Sequence, residues 1–422
     1  MSPSEAKSFH RASLMAATPV EKLVEVLANA QINPMERSIY NMYETWRTHN
    51  YGNRSSKSIL EKIQQKTAQL DGKGFKFCVQ DEPFCCVILS PIMLRAHELS
   101  FSIYIMFVDS SGSCDQSGSI VTFLFGASKI GGVPLGCIIH YEQNEQVYEH
   151  CFKKFNELLG SKGFYGSGYP SVIMTDDSTA ERNALQKAFT NSALLLCLFH
   201  VMQTVWRWLW NSEHKIAKED RRTLMLYFRD ILYAKEEIDC ELFKQALCES
   251  EIAKKYINYL EYFDKMWQRK QEWCHYFRKT LCNRGHNTNN IVEVSIRLFK
   301  DLVLQRCRAF NPASLLDFIY FSLDDFYKEK LLRYSSFRDN KLLIYFTKFC
   351  KKSVNLCVVK LSDSDFTVTS LSDKTFLYRV NTVLEVCDCP EEAGGKFCKH
   401  LCAVYNTGLH MFNVPKVFFQ DK

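Results

Sequence analysis

A chain of 422 residues, 46% hydrophobic and 24% charged, is long enough for two or three folded domains and too apolar to be disordered or collagen-like. Its formal charge of +6, from 53 basic and 47 acidic side chains, permits nucleic-acid binding through local patches without demanding it. No apolar run approaches a bilayer span and residues 1–17 lack the apolar core of a secretory signal. No membrane partner is therefore expected, and the 18 cysteines are expected as thiols or zinc ligands in nucleus or cytoplasm, not as secreted disulfides.

Residues 1–74 read as a helical N-terminal region. Apolar positions recur at helical spacing over 20–28 and at Ile39, Met42, Tyr43 and Trp46, until Asn50-Tyr51-Gly52-Asn53 breaks the pattern. Lys57, Lys62, Lys66, Lys73 and Lys76 then make a basic stretch, which we read as a solvated helix face in preference to a DNA-facing one. From Phe75 the period turns strand-like. Three β-rich runs at 101–108, 119–127 and 133–141, separated by Ser- and Gly-rich turns, suit an antiparallel meander. An amphipathic helix over 146–159, a buried strand over 171–175, a helix over 178–189 and a strand over 193–199 follow. Residues 200–286 hold helix formers and aromatics but no convincing strand, which predicts an all-helical insertion. Helix resumes over 291–304 with Val292, Ile296, Phe299 and Val303 on one side; Pro312 opens further helix to about 346, and 354–386 returns to strands. The predicted class is α/β: the order β-β-β-α-β-α-β is that of an RNase H-like mixed sheet, its last two strands parallel. Units are expected at 1–74, 75–305 with the insertion at 200–286, a helical connector at 306–350, and a small β/α metal-binding region at 351–422.

The tail carries the most specific pattern. Cys387-x-Cys389 and Cys398-x-His400 supply three thiolates and an imidazole, a complete tetrahedral zinc set. Residues two apart in extended chain point the same way, so each pair can grip one ion, and Pro390 to Gly395 let the chain turn back. Four protein ligands leave no open position, so this zinc is expected to be structural. Cys402 is the one rival ligand, and free core cysteines are the plain alternative.

Three acids stand where such a sheet places chemistry: Asp109 at the end of the first strand, Asp176 at the end of the fourth, and Glu293 at the start of the helix after the insertion. Carboxylates are the ligands that hard Mg²⁺ or Mn²⁺ ions require, and a pair of ions stabilises both oxygens of an in-line displacement at phosphorus. Each acid also has an ordinary reading: Asp109 opening a turn, Asp176 or Asp177 capping a helix, Glu293 closing a capping box with Asn290. Their shared order along the fold favours the metal reading, with Asp115 and Asp177 as the nearest misassignments. Cys197-x-x-His200 is open between three roles: half of a second zinc site with Cys282 and His286, a buried pair orienting a strand-to-helix junction, or, for His200, a place beside the carboxylates.

These segments resemble known families. C-x-C, an insert, then C-x-H is similar to the SWIM-type zinc finger, over about the last fifty residues. The segment from about 75 to 301 resembles the catalytic core of Mutator-like (MULE) transposases, of the DDE group: Phe107-Val108-Asp109, Val172-Ile173-Met174-Thr175-Asp176 with Ala184-Leu185, Cys197-Leu198-Phe199-His200, and Asn287 to Glu293 carry it. The resemblance implies DNA cleavage and strand transfer, DNA as partner, a nuclear location, and Asp109, Asp176, Glu293 and His200 as catalytic positions. Two departures stand out. No cysteine and histidine cluster of a DNA-reading module precedes Phe75, and Asp177 to Glu181 differ from the commoner pattern. The alternative expectation is a domesticated, non-catalytic adaptor whose finger binds DNA or a protein; the enzyme assignment stands or falls with the three acids, and the sequence allows an oligomer without specifying one.

Overall fold

The computed structural model describes residues 3–53, 56–70, 72–128, 130–336, 338, 340–382, 386–389 and 398–408. It opens with helices α1 (Pro3–Ala17), α2 (Val20–Ala28), α3 (Glu36–Tyr51) and α4 (Ser56–Leu70). Only Arg47 is buried along the first three, whereas α4 seats Ile59 and Ile63 in the main core. The basic row on α4 is partly spent on packing: Lys66 Nζ lies 2.8 Å from Asp317.

A hairpin of β1 (Lys76–Gln80) and β2 (Cys85–Leu89), then α5 (Pro91–His97), leads into β3 (Ile105–Ser111), β4 (Ile120–Ser128) and β5 (Gly131–His140). After α6 (Glu145–Leu159) come β6 (Val172–Thr175), α7 (Thr179–Ala188) and β7 (Ala193–Leu196). The seven strands form one mixed sheet in the order β1-β2-β5-β4-β3-β6-β7, antiparallel as far as β3 and parallel from β3 through β6 to β7.

Three details differ from the expected runs. β1 and β2 widen the meander by two strands. The run at 101–108 is split, because Ser100–Ile103 form a 3-10 turn in which Ser102 Oγ donates to the Leu99 carbonyl at 2.8 Å, and extension starts at Ile105. β7 stops at Leu196, since the chain turns into helix immediately after Cys197.

Helices clothe both faces of the sheet. On one, a Cβ at Gly136 would lie 2.4 Å from Phe155 of α6; on the other, a Cβ at Gly132 would lie 2.7 Å from Ser295 Oγ and 2.9 Å from Ile291. Only glycine lets α14 (Asn290–Leu298) approach β5 this closely.

Between β7 and α14 runs an all-helical stretch: α8 (Leu198–Trp210), α9 (Lys218–Leu232), α10 (Glu237–Glu249), α11 (Glu251–Lys254), α12 (Ile257–Gln268) and α13 (Lys270–Trp273). It has its own apolar core around Leu224, Phe228, Phe263 and Trp273. After α14 the helix loosens into a π turn at Phe299–Val303, and α15 (Pro312–Asp317), α16 (Asp324–Ser335) and α17 (Asn340–Ser353) follow. The tail is a four-stranded antiparallel sheet, β8 (Val358–Lys360), β9 (Asp365–Thr369), β10 (Leu377–Asn381) and β11 (Val386–Cys387), closed by α18 (Lys399–Asn406) over a third small core. Among the described residues no helix is long and apolar enough to cross a membrane.

Candidate metal centres

Strand register gathers the first site. β3 and β6 run parallel with Phe107 opposite Met174, so two residues further on Asp109 stands beside Asp176, both on the face that α14 covers. β6 and β7 pair Thr175 with Leu196, and Cys197 N–H still donates to the Thr175 carbonyl at 3.0 Å, which brings Cys197 to the same level. Asp109, two residues before the end of β3, thus stands in a row with Asp176 and Cys197, which directly follow β6 and β7, whereas the sequence placed it at the strand's end.

Two helices start above that row. His200 sits in the first turn of α8, with Nδ1 2.6 Å from Asp176 Oδ1 and Nε2 3.6 Å from Glu293 Oε1 of α14. The close approach at Nδ1 is not aligned along a ring N–H, and this buried nitrogen makes no hydrogen bond. A ring nitrogen and a carboxylate pressed together in that way call for a shared proton or cation. Asp176, Cys197 and His200 offer ligand atoms all within 4.8 Å of one another. Asp109 and Glu293 are not in that tight group; Glu293 reaches it through the far side of the imidazole.

Electrostatics tie Asp109 to the same place. Burial, then the negative charge of Asp176 and, less, of Glu293, push its carboxyl up to about 7, while the Ser110 N–H donates to it at 2.8 Å. Acids crowded at low solvation resist ionising together unless a cation joins them.

The capping roles considered for Asp176, Asp177 and Glu293 are not taken up by them. Ser178 caps α7, accepting from the Glu181 N–H, so neither Asp176 nor Asp177 is the cap. Asn289 precedes α14 without capping it; its side-chain amide donates instead to the Val108 carbonyl at 3.4 Å and to Asp176 at 3.5 Å, so the capping box of Asn290 with Glu293 is not formed. Asp115 is buried and accepts from Ser119 N–H at 3.0 Å, and Asp177 pairs with Arg269 at 2.8 Å.

Cys197 accepts the Asn289 N–H at 3.2 Å, and Leu198 N–H donates to Asn287 O at 2.9 Å, stitching the 287–289 segment to the β7–α8 junction. Cys282 is exposed, and His286 packs edge-on against Phe107 with its imidazole lowered to about 4 by burial; neither joins Cys197 and His200 in a ligand group.

In the tail, Cys387, Cys389, Cys398 and His400 are buried and bring their ligand atoms within 4.8 Å of one another. Cys387 Sγ lies 3.7 Å from His400 Nδ1, close to the ~3.6 Å that a sulfur and a nitrogen keep around one tetrahedral zinc. The Cys387 thiol is pushed far up by its neighbours Cys389 and Cys398 and by burial, so these sulfurs ionise together only around a cation. The cluster could hold a metal such as zinc. Cys402 is buried but faces Cys350, not the cluster. The turn at 390–397 lies outside the described residues.

One acid escaped the sequence reading. Glu181, three residues after the cap of α7, is buried with Oε1 3.0 Å from Ser110 Oγ, and burial followed by Asp109 raises its carboxyl to about 7. Its position looks like a routine capping-box glutamate, and only the packing of α7 on β3 makes it unusual.

Residues 114–204 match the family model of the MULE transposase domain. The match takes in Asp176, Cys197 and His200 and leaves Asp109, Glu293 and the tail cluster outside it. No curated protein matches the chain.

Proposed function

We propose that this chain is a Mutator-like transposase, or a descendant keeping its chemistry, that cleaves and joins DNA phosphodiesters with Asp109, Asp176 and Glu293 as carboxylate ligands. The match over 114–204 supports a transposase-related function. The observation that carries the finer reading is the placing of Asp176 and Glu293 on the two nitrogens of His200, with Asp109 one strand away on the same face. Two further features favour an RNase H-like sheet: five adjoining strands run β5-β4-β3-β6-β7, and Asp109 and Asp176 stand side by side on the adjacent parallel β3 and β6.

Asp109, Asp176 and Glu293 would hold Mg²⁺ or Mn²⁺, which would supply charge stabilisation for the attacking and leaving oxygens of phosphoryl transfer. The protein's share is positioning. Asn289 spans β3 and Asp176, Cys197 pins the junction that presents His200, and Gly132 admits α14 so that Glu293 reaches the strand ends. His200 serves as a proton acceptor or donor beside the acids. The Cys387 to His400 cluster is a SWIM-type structural zinc site that folds the tail and offers a surface to DNA or a protein partner. The domain limits stated above, a nuclear location and phosphate-backbone contacts as the main source of DNA affinity belong to the same proposal.

The test is nicking and strand transfer by purified protein on DNA substrates with Mn²⁺, compared with Asp176→Asn. Metal-dependent product that falls by more than about 100-fold in the variant supports the enzyme. Equal inactivity of both proteins, with DNA binding retained, supports the non-catalytic adaptor.

A further inference from the structure

A second polar cluster is buried on the sheet face opposite Asp109. Side chains alternate along β3, so Ser110 points away from Asp109, toward α6 and α7. There its Oγ lies 2.7 Å from Thr122 Oγ1, 3.0 Å from the Tyr148 hydroxyl and 3.0 Å from Glu181 Oε1. Thr122 Oγ1 lies 2.7 Å from His140 Nε2, and His140 Nδ1 lies 3.0 Å from the Glu142 carbonyl. Thr122, His140 and Glu181 are all at most 3% exposed, and Ser110 between them is half-buried.

Counting protons along this chain fixes its direction. A carbonyl only accepts, so His140 Nδ1 carries a proton. Burial lowers the His140 imidazole to about 4, so near neutral pH its Nε2 is an acceptor. Thr122 must donate to it, and Ser110 must then donate to Thr122. Ser110 has no second proton for Glu181, so the 3.0 Å contact closes only if the proton sits on Glu181. The raised Glu181 carboxyl agrees with that count.

We propose that Glu181 is a positioning residue, a buried neutral carboxyl that donates to Ser110 and so holds the backbone N–H which Ser110 gives to Asp109, without binding metal itself. Its consequence for metal rests on the reading of Asp109 as a ligand; the hydrogen-bond role does not. The charged and titratable groups around Glu181 are Asp109 from β3, Tyr148 from α6, Asp176 beyond β6 and Arg182 on its own helix. Arg182 is turned to Thr175 at 3.0 Å and Glu272 at 2.7 Å, so its charge favours ionised Glu181 less than burial, Asp109 and Asp176 oppose it.

Full-length wild type, Glu181→Gln and Ser110→Ala are melted between pH 5.5 and 8.5 in magnesium-free buffer and titrated calorimetrically with Mn²⁺. A carboxyl raised in the fold contributes stability while protonated and loses it as pH rises through about 7. The glutamine variant should therefore melt slightly above wild type at pH 5.5 and several degrees further above it at pH 8.5. Asp109 titrates in both proteins, and because its charge helps to raise Glu181 the difference reads Glu181 together with that coupling. Glu181→Gln should keep Mn²⁺ affinity within about twofold, whereas Ser110→Ala, which cuts the link, should weaken it about tenfold. A melting gap that does not change with pH overturns the neutral carboxyl. A tenfold loss of Mn²⁺ affinity in Glu181→Gln, or none in Ser110→Ala, overturns the positioning role. If wild type itself binds no Mn²⁺, the metal reading of Asp109 fails, and the melting gap still decides the state of Glu181.

Discussion

Asp109 shows how one side chain's environment follows from its register. A carboxylate at a strand end is unremarkable in sequence, but pairing of β3 with β6 sets it against Asp176 and away from solvent, which lifts its carboxyl to about 7. Raised in the fold, the group favours the folded state while protonated, and that contribution disappears as pH climbs through about 7. Asp109→Asn should accordingly match wild type near pH 4 and exceed it by on the order of 4 kcal/mol at pH 8.5, measured by urea unfolding without magnesium or manganese. On the proposed reading of Asp109 as a metal ligand, added Mn²⁺ should reverse the order by stabilising wild type more than the variant.

Between elements, the junction of α7 with the helical insertion is held by charge. Arg182 is buried, donates to Thr175 at 3.0 Å and pairs with Glu272 of α13 at 2.7 Å, while Arg269 bridges Glu272 and Asp177 at 2.7 and 2.8 Å. Removing Arg182 takes the donor from buried Thr175 and from the Leu195 carbonyl and leaves Glu272 with Arg269 alone. Arg182→Ala should lower stability by about 3 kcal/mol in chemical denaturation, and the loss should exceed that of Arg229→Ala, whose partner Asp230 is surface-exposed. On the opposite face, Gly132→Val would thrust methyl groups into Ser295 and Ile291. A loss of about 1–3 kcal/mol is expected, and nicking activity should fall with it, because α14 carries Glu293.

For the whole molecule, the separation of apolar cores decides how it unfolds. The sheet, the helical insertion and the tail each bury their own cluster, and the tail's includes three of the four metal-ligand candidates, Cys387, Cys389 and Cys398. Chelation should therefore unfold the tail alone: limited proteolysis with a zinc chelator should cut first beyond about residue 350 and leave the sheet resistant. Loss of protection across the sheet as well would show that the cores are not independent.

Much of this architecture is local enough to be written along the chain. Apolar runs rich in β-branched residues, with aromatics in β4, mark β4 and β5, helical spacing marks α6 and α14, and Cys387-x-Cys389 with Cys398-x-His400 announces a shared ion because each pair is set by two-residue geometry. Long-range placement is not written that way. The split of 101–108 depends on a hydroxyl meeting a carbonyl across a turn, and the exclusion of Cys282 and His286 from Cys197 depends on where the insertion returns to the sheet. Glu181 reads as an ordinary first-turn glutamate until α7 is packed on Ser110. Sequence determined which side chains could do chemistry, since periodicity and short spacings are properties of neighbours. Tertiary structure alone decided which of them meet and in what state of charge, because burial and proximity across distant strands are set by packing and not by order along the chain.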